Sequence, residues 1–276
     1  MSKWMYYFVG IRLFWWTTNN NGGKDNFGDI LSKFLVEKLT NRKIIKVPHP
    51  SMRRYKLFLK HYLTIGSILE VANSNSIVWG SGIIRENQFV REAKFLAVRG
   101  PRTRSRLLEL GYKVPEIYGD PAILLPLYLQ KKVEKKYKIG IIPHYINYEE
   151  VLASFGNDDR IKIIDLMTDD VERTISEILE CENIISSSLH GVIVSQAYSI
   201  PSLWVKFSEK LAGDNVKFYD YFESVGITYE SEFQINPLHS CYEELLNRIE
   251  ANRHLLLPDN ILLAKRQDSL LKSCPF

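Results

Sequence analysis

The chain has 276 residues, with 36 Lys and Arg against 32 Asp and Glu, for a formal net charge of +4. That balance is too mild for a chain built to grip nucleic acid. With 45% hydrophobic and 25% charged residues there is ample material for a core, which excludes a disordered, collagen-like or coiled-coil chain.

In chain order, Trp4 to Ile11 is apolar, and Leu13 to Trp16 continues the run after Arg12. The run is too short to cross a bilayer, and no small-residue cleavage site precedes Thr17-Thr18-Asn19-Asn20-Asn21. It predicts a buried strand and an aromatic-rich turn. Asp29 to Leu39 predicts a helix, with Ile30, Leu31, Phe34, Leu35 and Leu39 on one face and Lys33, Glu37 and Lys38 opposite. In Asn26-Phe27-Gly28-Asp29, Asp29 reads either as the N-cap of that helix or as a base. Met52 to Tyr62 is basic and apolar together. It suits an interfacial helix on an anionic membrane, or equally a basic helix covering the core with its Lys and Arg stems.

Ser76 to Trp79 is a short strand entering Gly80-Ser81-Gly82, a small-residue loop able to admit a ligand. Phe95 to Val98 is a strand ending in Arg99-Gly100-Pro101, and Pro101 opens a helix to Leu110 that Gly111 stops. A guanidinium at a strand end, as at Arg99, can hold an anion bidentately, whereas Arg104 and Arg106 read as surface residues. Glu116 to Tyr118 precedes Gly119-Asp120-Pro121, where Asp120 poses the same choice as Asp29.

Lys131 to Lys138 holds five lysines and one glutamate and reads as a solvated linker between domains. The alternation then restarts. Strands are predicted at Ile139 to Ile142, Ile161 to Ile164, Asn183 to Ser186 and Ser202 to Val205. Helices are predicted at Tyr148 to Phe155, Val171 to Leu179 and Leu189 to Tyr198, with terminal helices at Ser240 to His254 and Asn260 to Leu271. Pro143-His144-Tyr145 follows the first of these strands directly. Ser186-Ser187-Ser188-Leu189-His190-Gly191 runs from a strand into a helix. Ser187 or Ser188 can cap that helix, its start can seat a phosphate or carboxylate, and His190 lies in its first turn. Lys217 is a late basic residue within reach of the same place.

Strands separated by helices imply parallel sheets with right-handed crossovers. Two such runs predict an α/β fold of two Rossmann-like lobes facing across a cleft. The N-terminal lobe is expected over 1–130, a linker over 131–138, the C-terminal lobe over 139–237, and helices packing back over 238–276. Ligands in such sheets sit beyond the carboxyl ends of the strands. Three widely spaced cysteines, Cys181, Cys241 and Cys274, form neither a disulfide framework nor a Cys-x-x-Cys site and fit a reducing, cytoplasmic setting. No GxxxxGK[ST], HExxH or GxSxG motif occurs, and no acidic cluster has metal-site spacing. What remains is an anion site of arginine, histidine, serine and helix dipole, with no obligatory metal or cofactor expected.

The ordered set Asn26-Phe27-Gly28-Asp29, Trp79-Gly80-Ser81-Gly82, Arg99-Gly100-Pro101-Arg102-Thr103, Gly119-Asp120-Pro121 and Ser186 to Gly191 resembles the polysaccharide pyruvyl transferase family. The subtype is similar to the exopolysaccharide ketal-pyruvate transferases. The resemblance implies a glycosyltransferase-B-like fold, phosphoenolpyruvate as donor, and a polysaccharide or lipid-linked oligosaccharide as acceptor at the inner membrane face. On this reading His190, His144 and Asp29 are catalytic. Arg99, Ser187, Ser188, Leu189, His190 and Lys217 bind the donor, while Asn26, Gly82 and Asp120 face the acceptor. Some family members carry arginine where this chain has Ser188, so a cationic contact to the donor is either missing here or supplied from elsewhere, with Lys217 as the candidate. A nucleotide-sugar glycosyltransferase and a non-catalytic polysaccharide-biosynthesis protein are the alternatives.

Overall fold

The computed structural model describes residues 10–17, 23–49, 59–209 and 213–276. The first half contains β1 (Ile11–Phe14), β2 (Asp25–Asn26), α1 (Phe27–Thr40), β3 (Ile44–Lys46), β4 (His61–Leu63), β5 (Ser76–Trp79), β6 (Lys94–Ala97) and α2 (Pro101–Glu109). Short turns at Pro121–Leu124 and Leu125–Tyr128 follow. The second half contains β7 (Tyr137–Ile142), α3 (Tyr148–Phe155), β8 (Ile161–Ile163), β9 (Met167–Thr168), α4 (Val171–Leu179), β10 (Cys181–Ser186) and α5 (Leu189–Ala197). It ends with β11 (Ser202–Lys206), α6 (Val216–Ser224), β12 (Phe233–Gln234), α7 (Tyr242–Ala251) and α8 (Asn260–Lys272).

The strands form two five-stranded sheets, in the orders β3-β1-β4-β5-β6 and β12-β11-β10-β7-β8. Every pairing within them is parallel. Parallel sheets are covered on both faces, so their central strands are apolar throughout. Leu13, Val78, Ile141, Ile184 and Leu203 are accordingly buried.

The two halves are joined by more than the chain. β2 pairs antiparallel with β9, placing Asp25 opposite Thr168 and Asn26 opposite Met167. Phe27 N then donates to Leu166 O at 2.7 Å. This short ribbon fixes the start of α1 against the second half. One continuous apolar cluster runs from Phe27, Leu31 and Trp79 to Leu189, Trp204 and Phe218. The C-terminal helix α8 returns to the first half, where Trp79 Nε1 donates to Leu270 O at 3.0 Å and Gln267 Nε2 to Ile123 O at 2.8 Å.

Some expectations fall partly outside the described residues, and others meet a different structure. The first strand lies at Ile11–Phe14, and residues 1–9 fall outside the described residues. Of the basic segment at 52–62, residues 52–58 also fall outside them, while His61 and Tyr62 belong to strand β4 rather than to a helix. Glu116 to Tyr118 forms only a single bridge, between Val98 and Tyr118. The lysine-rich stretch is largely exposed and has no regular structure before Tyr137, but its lysines are tied down. Lys131, Lys136 and Lys138 pair with Glu172, Glu180 and Glu182, and β7 begins inside the stretch at Tyr137. Carboxylates distant in sequence draw those lysines onto α4 and β10. No helix among the described residues is long and apolar enough to cross a membrane.

Candidate active site

Two helix starts converge where the halves meet. β10 turns into α5 within two residues, and the buried Ser186 makes the turn. Its Oγ accepts from Ser188 N at 3.0 Å and donates to Ile142 O at 3.0 Å. Gly191 is needed because a Cβ there would stand 2.4 Å from that Oγ. The space left by the missing side chain is taken by the Ser186 hydroxyl, not by a ligand. Ser188 occupies the N-cap position but makes no side-chain capping bond, so no side chain caps the positive end of α5. Facing it is the start of α1, where Asn26 Oδ1 accepts from Gly28 N at 3.0 Å. The cap of α1 is therefore Asn26, which leaves the Asp29 carboxyl available for other work.

Four titratable side chains gather there. His190, half-buried, packs its Nδ1 edge on Gly28. Burial pushes the Asp29 carboxyl up to about 6, against the pull of His190 and Lys217, with Asp25 adding to the rise. Burial likewise pushes the Lys217 amine down to about 8, helped by Arg99 and opposed by Asp29. His144 is lowered to about 4 by burial and then by Lys217, and its Nδ1 accepts from Ile146 N at 3.4 Å. At neutral pH the place thus holds a neutral His144, a cationic Lys217 and a carboxylate close to its own titration. Perturbed groups of opposite sign at one spot are a recurring mark of a functional site.

Asp120 comes from the first half. Its Oδ1 accepts from Ala122 N at 3.0 Å, capping the Pro121–Leu124 turn. Its Oδ2 lies 3.5 Å from His190 Nε2. Asp120 is fully buried, so it faces the imidazole and not an open acceptor surface, contrary to the acceptor contact expected for it.

Arg99 is also placed otherwise than expected. It is fully buried, and its fork is engaged by Asp220 Oδ2 at 3.0 Å, Ser67 Oγ at 2.6 Å and Ile83 O at 2.6 Å. Asp220 also accepts from Thr103 N at 2.9 Å and Thr103 Oγ1 at 2.6 Å. A Cβ on Gly100 would meet Asp220 O. The Arg99-Gly100-Pro101-Arg102-Thr103 motif therefore grips α6, the helix that carries Lys217. Arg102 adds an exposed pair with Glu223, also on α6. Gly82 and Gly80 make room for protein rather than for ligand, since Cβ atoms there would stand 2.3 Å from Arg99 Cζ and 2.3 Å from Pro121 Cδ. Ser187 is buried, and its Oγ accepts from His144 N at 2.8 Å, tying the end of β10 to the end of β7. Leu189 is buried in the apolar cluster.

The sequence gives no sign of Asp220, of its hold on Thr103, or of the helical nature of α6. Nor does it announce the β2–β9 ribbon. Among the described residues, no group of three or more His, Cys, Asp or Glu is gathered to hold a metal. A groove of about 710 Å³ opens beside Asp25, with Trp15, Lys33, Phe34 and Glu37 among its walls.

Comparison with known proteins fits this picture. Residues 26–208, from the cap of α1 past the end of β11, match the polysaccharide pyruvyl transferase family. The chain belongs to that family. It is 35% identical to uncharacterized protein L143 of Acanthamoeba polyphaga mimivirus, over 73% of this chain and 71% of that protein. It is 26% identical to the succinoglycan biosynthesis protein ExoV of Rhizobium meliloti (strain 1021), over 55% of this chain and 46% of that protein. A solved structure, the functionally uncharacterized KP1_0663 of Klebsiella pneumoniae subsp. pneumoniae NTUH-K2044, aligns at a TM-score of 0.46 and 15% identity over 84% of this chain and 95% of that one. That likeness is too distant to bear on fold or function.

Proposed function

We propose that the chain transfers the pyruvyl group of phosphoenolpyruvate to a pair of sugar hydroxyls, forming a cyclic ketal and releasing phosphate. The supporting observation is the meeting of Lys217, Asp29, His144 and His190 at the facing starts of α1 and α5, in a chain of the polysaccharide pyruvyl transferase family. Lys217 supplies a point charge for one anionic end of the donor, and the start of α5 supplies backbone N–H groups for the other. His190 protonates the methylene carbon, making C2 oxocarbenium-like. One hydroxyl adds at C2, phosphate leaves, and the second hydroxyl closes the ketal. Of the two hydroxyl protons, one replaces the proton given to the methylene and the other leaves on phosphate. Asp29 accepts the first of them from the hydroxyl and passes it on to His190, which restores the imidazolium. Arg99 acts from behind, by holding α6.

The two parallel sheets are read as the facing lobes of a glycosyltransferase-B-like architecture. The acceptor is a polysaccharide or lipid-linked oligosaccharide, the kind of substrate that brings the chain to the inner membrane face. The groove beside Asp25, with Trp15 and Phe34 in its walls, suits sugar rings. The test is mass spectrometry of lipid-linked oligosaccharides incubated with phosphoenolpyruvate. A pyruvate-sized increment is expected, accompanied by phosphate release. Phosphoenolpyruvate left intact while a nucleotide sugar is consumed would replace this reading with glycosyl transfer.

A further inference from the structure

Asp120 and His190 reach each other from opposite halves of the chain, and the pair has a feature that packing alone does not explain. Asp120 Oδ2 and His190 Nε2 lie 3.5 Å apart, and neither buried atom has a hydrogen-bond partner. A carboxylate sealed from water without a donor is costly. The neighbourhood offers little else. Pro121 has no N–H. The Ala122 N–H is already taken by Oδ1. The Tyr221 hydroxyl, whose ionisation burial and Asp120 both oppose, donates to Gln196 Oε1 at 2.9 Å. His190 Nε2–H is the donor in place. On the other edge of the ring, Nδ1 faces Gly28, with Asp29 next in the chain. The imidazole is thus held between a carboxylate and a helix start. Contacts of this kind are often long before substrate binds and tighten afterwards.

We infer that Asp120 is the positioning residue for His190: it keeps the ring proton on Nε2 and leaves Nδ1 as the nitrogen that gives and takes protons. The orientation of the ring stands on the geometry. Its use, protonating the methylene carbon from Nδ1, rests on the pyruvyl-transfer reading. The proton that leaves Nδ1 for carbon is restored by the one that leaves the attacking hydroxyl.

Asp120→Asn tests this cleanly. The Ala122 N–H fixes the amide so that its oxygen still caps the turn, and the NH2 group then faces Nε2. Nε2 must become an acceptor, and the proton must move to Nδ1. The experiment is 15N NMR of the full chain labelled at histidine, above the ordinary imidazole range, on the wild type and the variant. The wild type should show the Nε2–H tautomer at His190, and Asp120→Asn the Nδ1–H tautomer. Phosphate release from phosphoenolpyruvate with acceptor should fall in kcat by about 10²-fold or more, with the donor KM within about twofold. An Nδ1–H tautomer in the wild type overturns the inference, and that spectrum decides even if the variant does not fold. The same tautomer in both proteins, or an unchanged kcat, also overturns it. A tautomer switch in a protein that never consumes phosphoenolpyruvate would instead sink the pyruvyl-transfer reading and leave the positioning role standing.

Discussion

The Cβ that Gly28 lacks would stand 2.2 Å from Nδ1 of His190. A single hydrogen atom on α1 therefore decides where the imidazole sits. Gly28→Ala should displace the ring by a good fraction of an ångström. Misplacements near 1 Å cost about 10²-fold in rate. Alanine is also the better helix former, by up to about 1 kcal/mol, so the fold should survive the change. Urea unfolding near the wild-type midpoint, together with turnover reduced about 10²-fold, is the expected pair of results. Wild-type turnover would show that His190 has more freedom than the packing allows.

Arg99 and Asp220 make a second prediction, about stability. Both side chains are fully buried, and removing one partner leaves the other as an uncompensated charge. Asp220→Ala should cost about 3–5 kcal/mol in chemical unfolding. Arg99→Lys should fail to rescue the fold, because a single ammonium cannot replace a planar fork bonded to Asp220, Ser67 and Ile83. If Arg99→Ala instead left stability intact and only raised the donor KM, Arg99 would be a ligand and not the anchor of α6.

Much of this was readable from the sequence, and the failures have physical causes. Helices α3 and α4 fall where the apolar period and their flanking residues place them, at Tyr148–Phe155 and Val171–Leu179. His190 at a strand-to-helix turn was legible because strand, serines and helix follow one another directly. The helix carrying Lys217 was not, because α6 buries Val216, Phe218, Asp220, Tyr221 and Phe222, a set too broad to leave a one-sided stripe. Arg99 and Asp120 were recognised as special, but their partners lie 121 and 70 positions away (99 to 220, 120 to 190), and no local pattern announces such pairings. Gly80 and Gly82 were read as space for a ligand, whereas only the folded chain reveals that Pro121 and Arg99 fill it.

Asp29 and Lys217 predict the pH dependence of turnover. Asp29 titrates near 6 and must be ionised to accept a proton, while Lys217 titrates near 8 and must be charged to hold the donor. The profile of kcat/KM for phosphoenolpyruvate should be bell-shaped, with limbs near those two values. Lys217→Met should raise the donor KM about 10-fold or more, as loss of a charge-assisted hydrogen bond does, and should erase the alkaline limb. An alkaline limb that persists in Lys217→Met would assign it to another group.

The same carboxyl should weaken the fold. The pKa of Asp29 in the folded chain, about 6, exceeds its ordinary 3.8. The folded state therefore binds the proton more tightly, and stability falls as pH rises from about 4 to about 6. Asp29→Asn removes that cost, and should stabilise the chain at neutral pH by about 3 kcal/mol while lowering turnover. His144 works the other way. It is held near 4, so its share of stability is present above the ordinary imidazole range and lost as pH falls through the folded value. Thermal unfolding from acid to neutral pH, in the wild type, Asp29→Asn and His144→Gln, separates the two.

The central claim is that the junction of α1, α5 and α6 seats a small enol phosphate on Lys217. Calorimetric titration of the wild type and Lys217→Met with phosphoenolpyruvate, and with nucleotide sugars alongside, reads this without any acceptor. Saturable binding of phosphoenolpyruvate to the wild type, weakened about 10-fold or more in the variant, is the predicted result. Equal affinity in both proteins, or heat from a nucleotide sugar alone, would contradict the account.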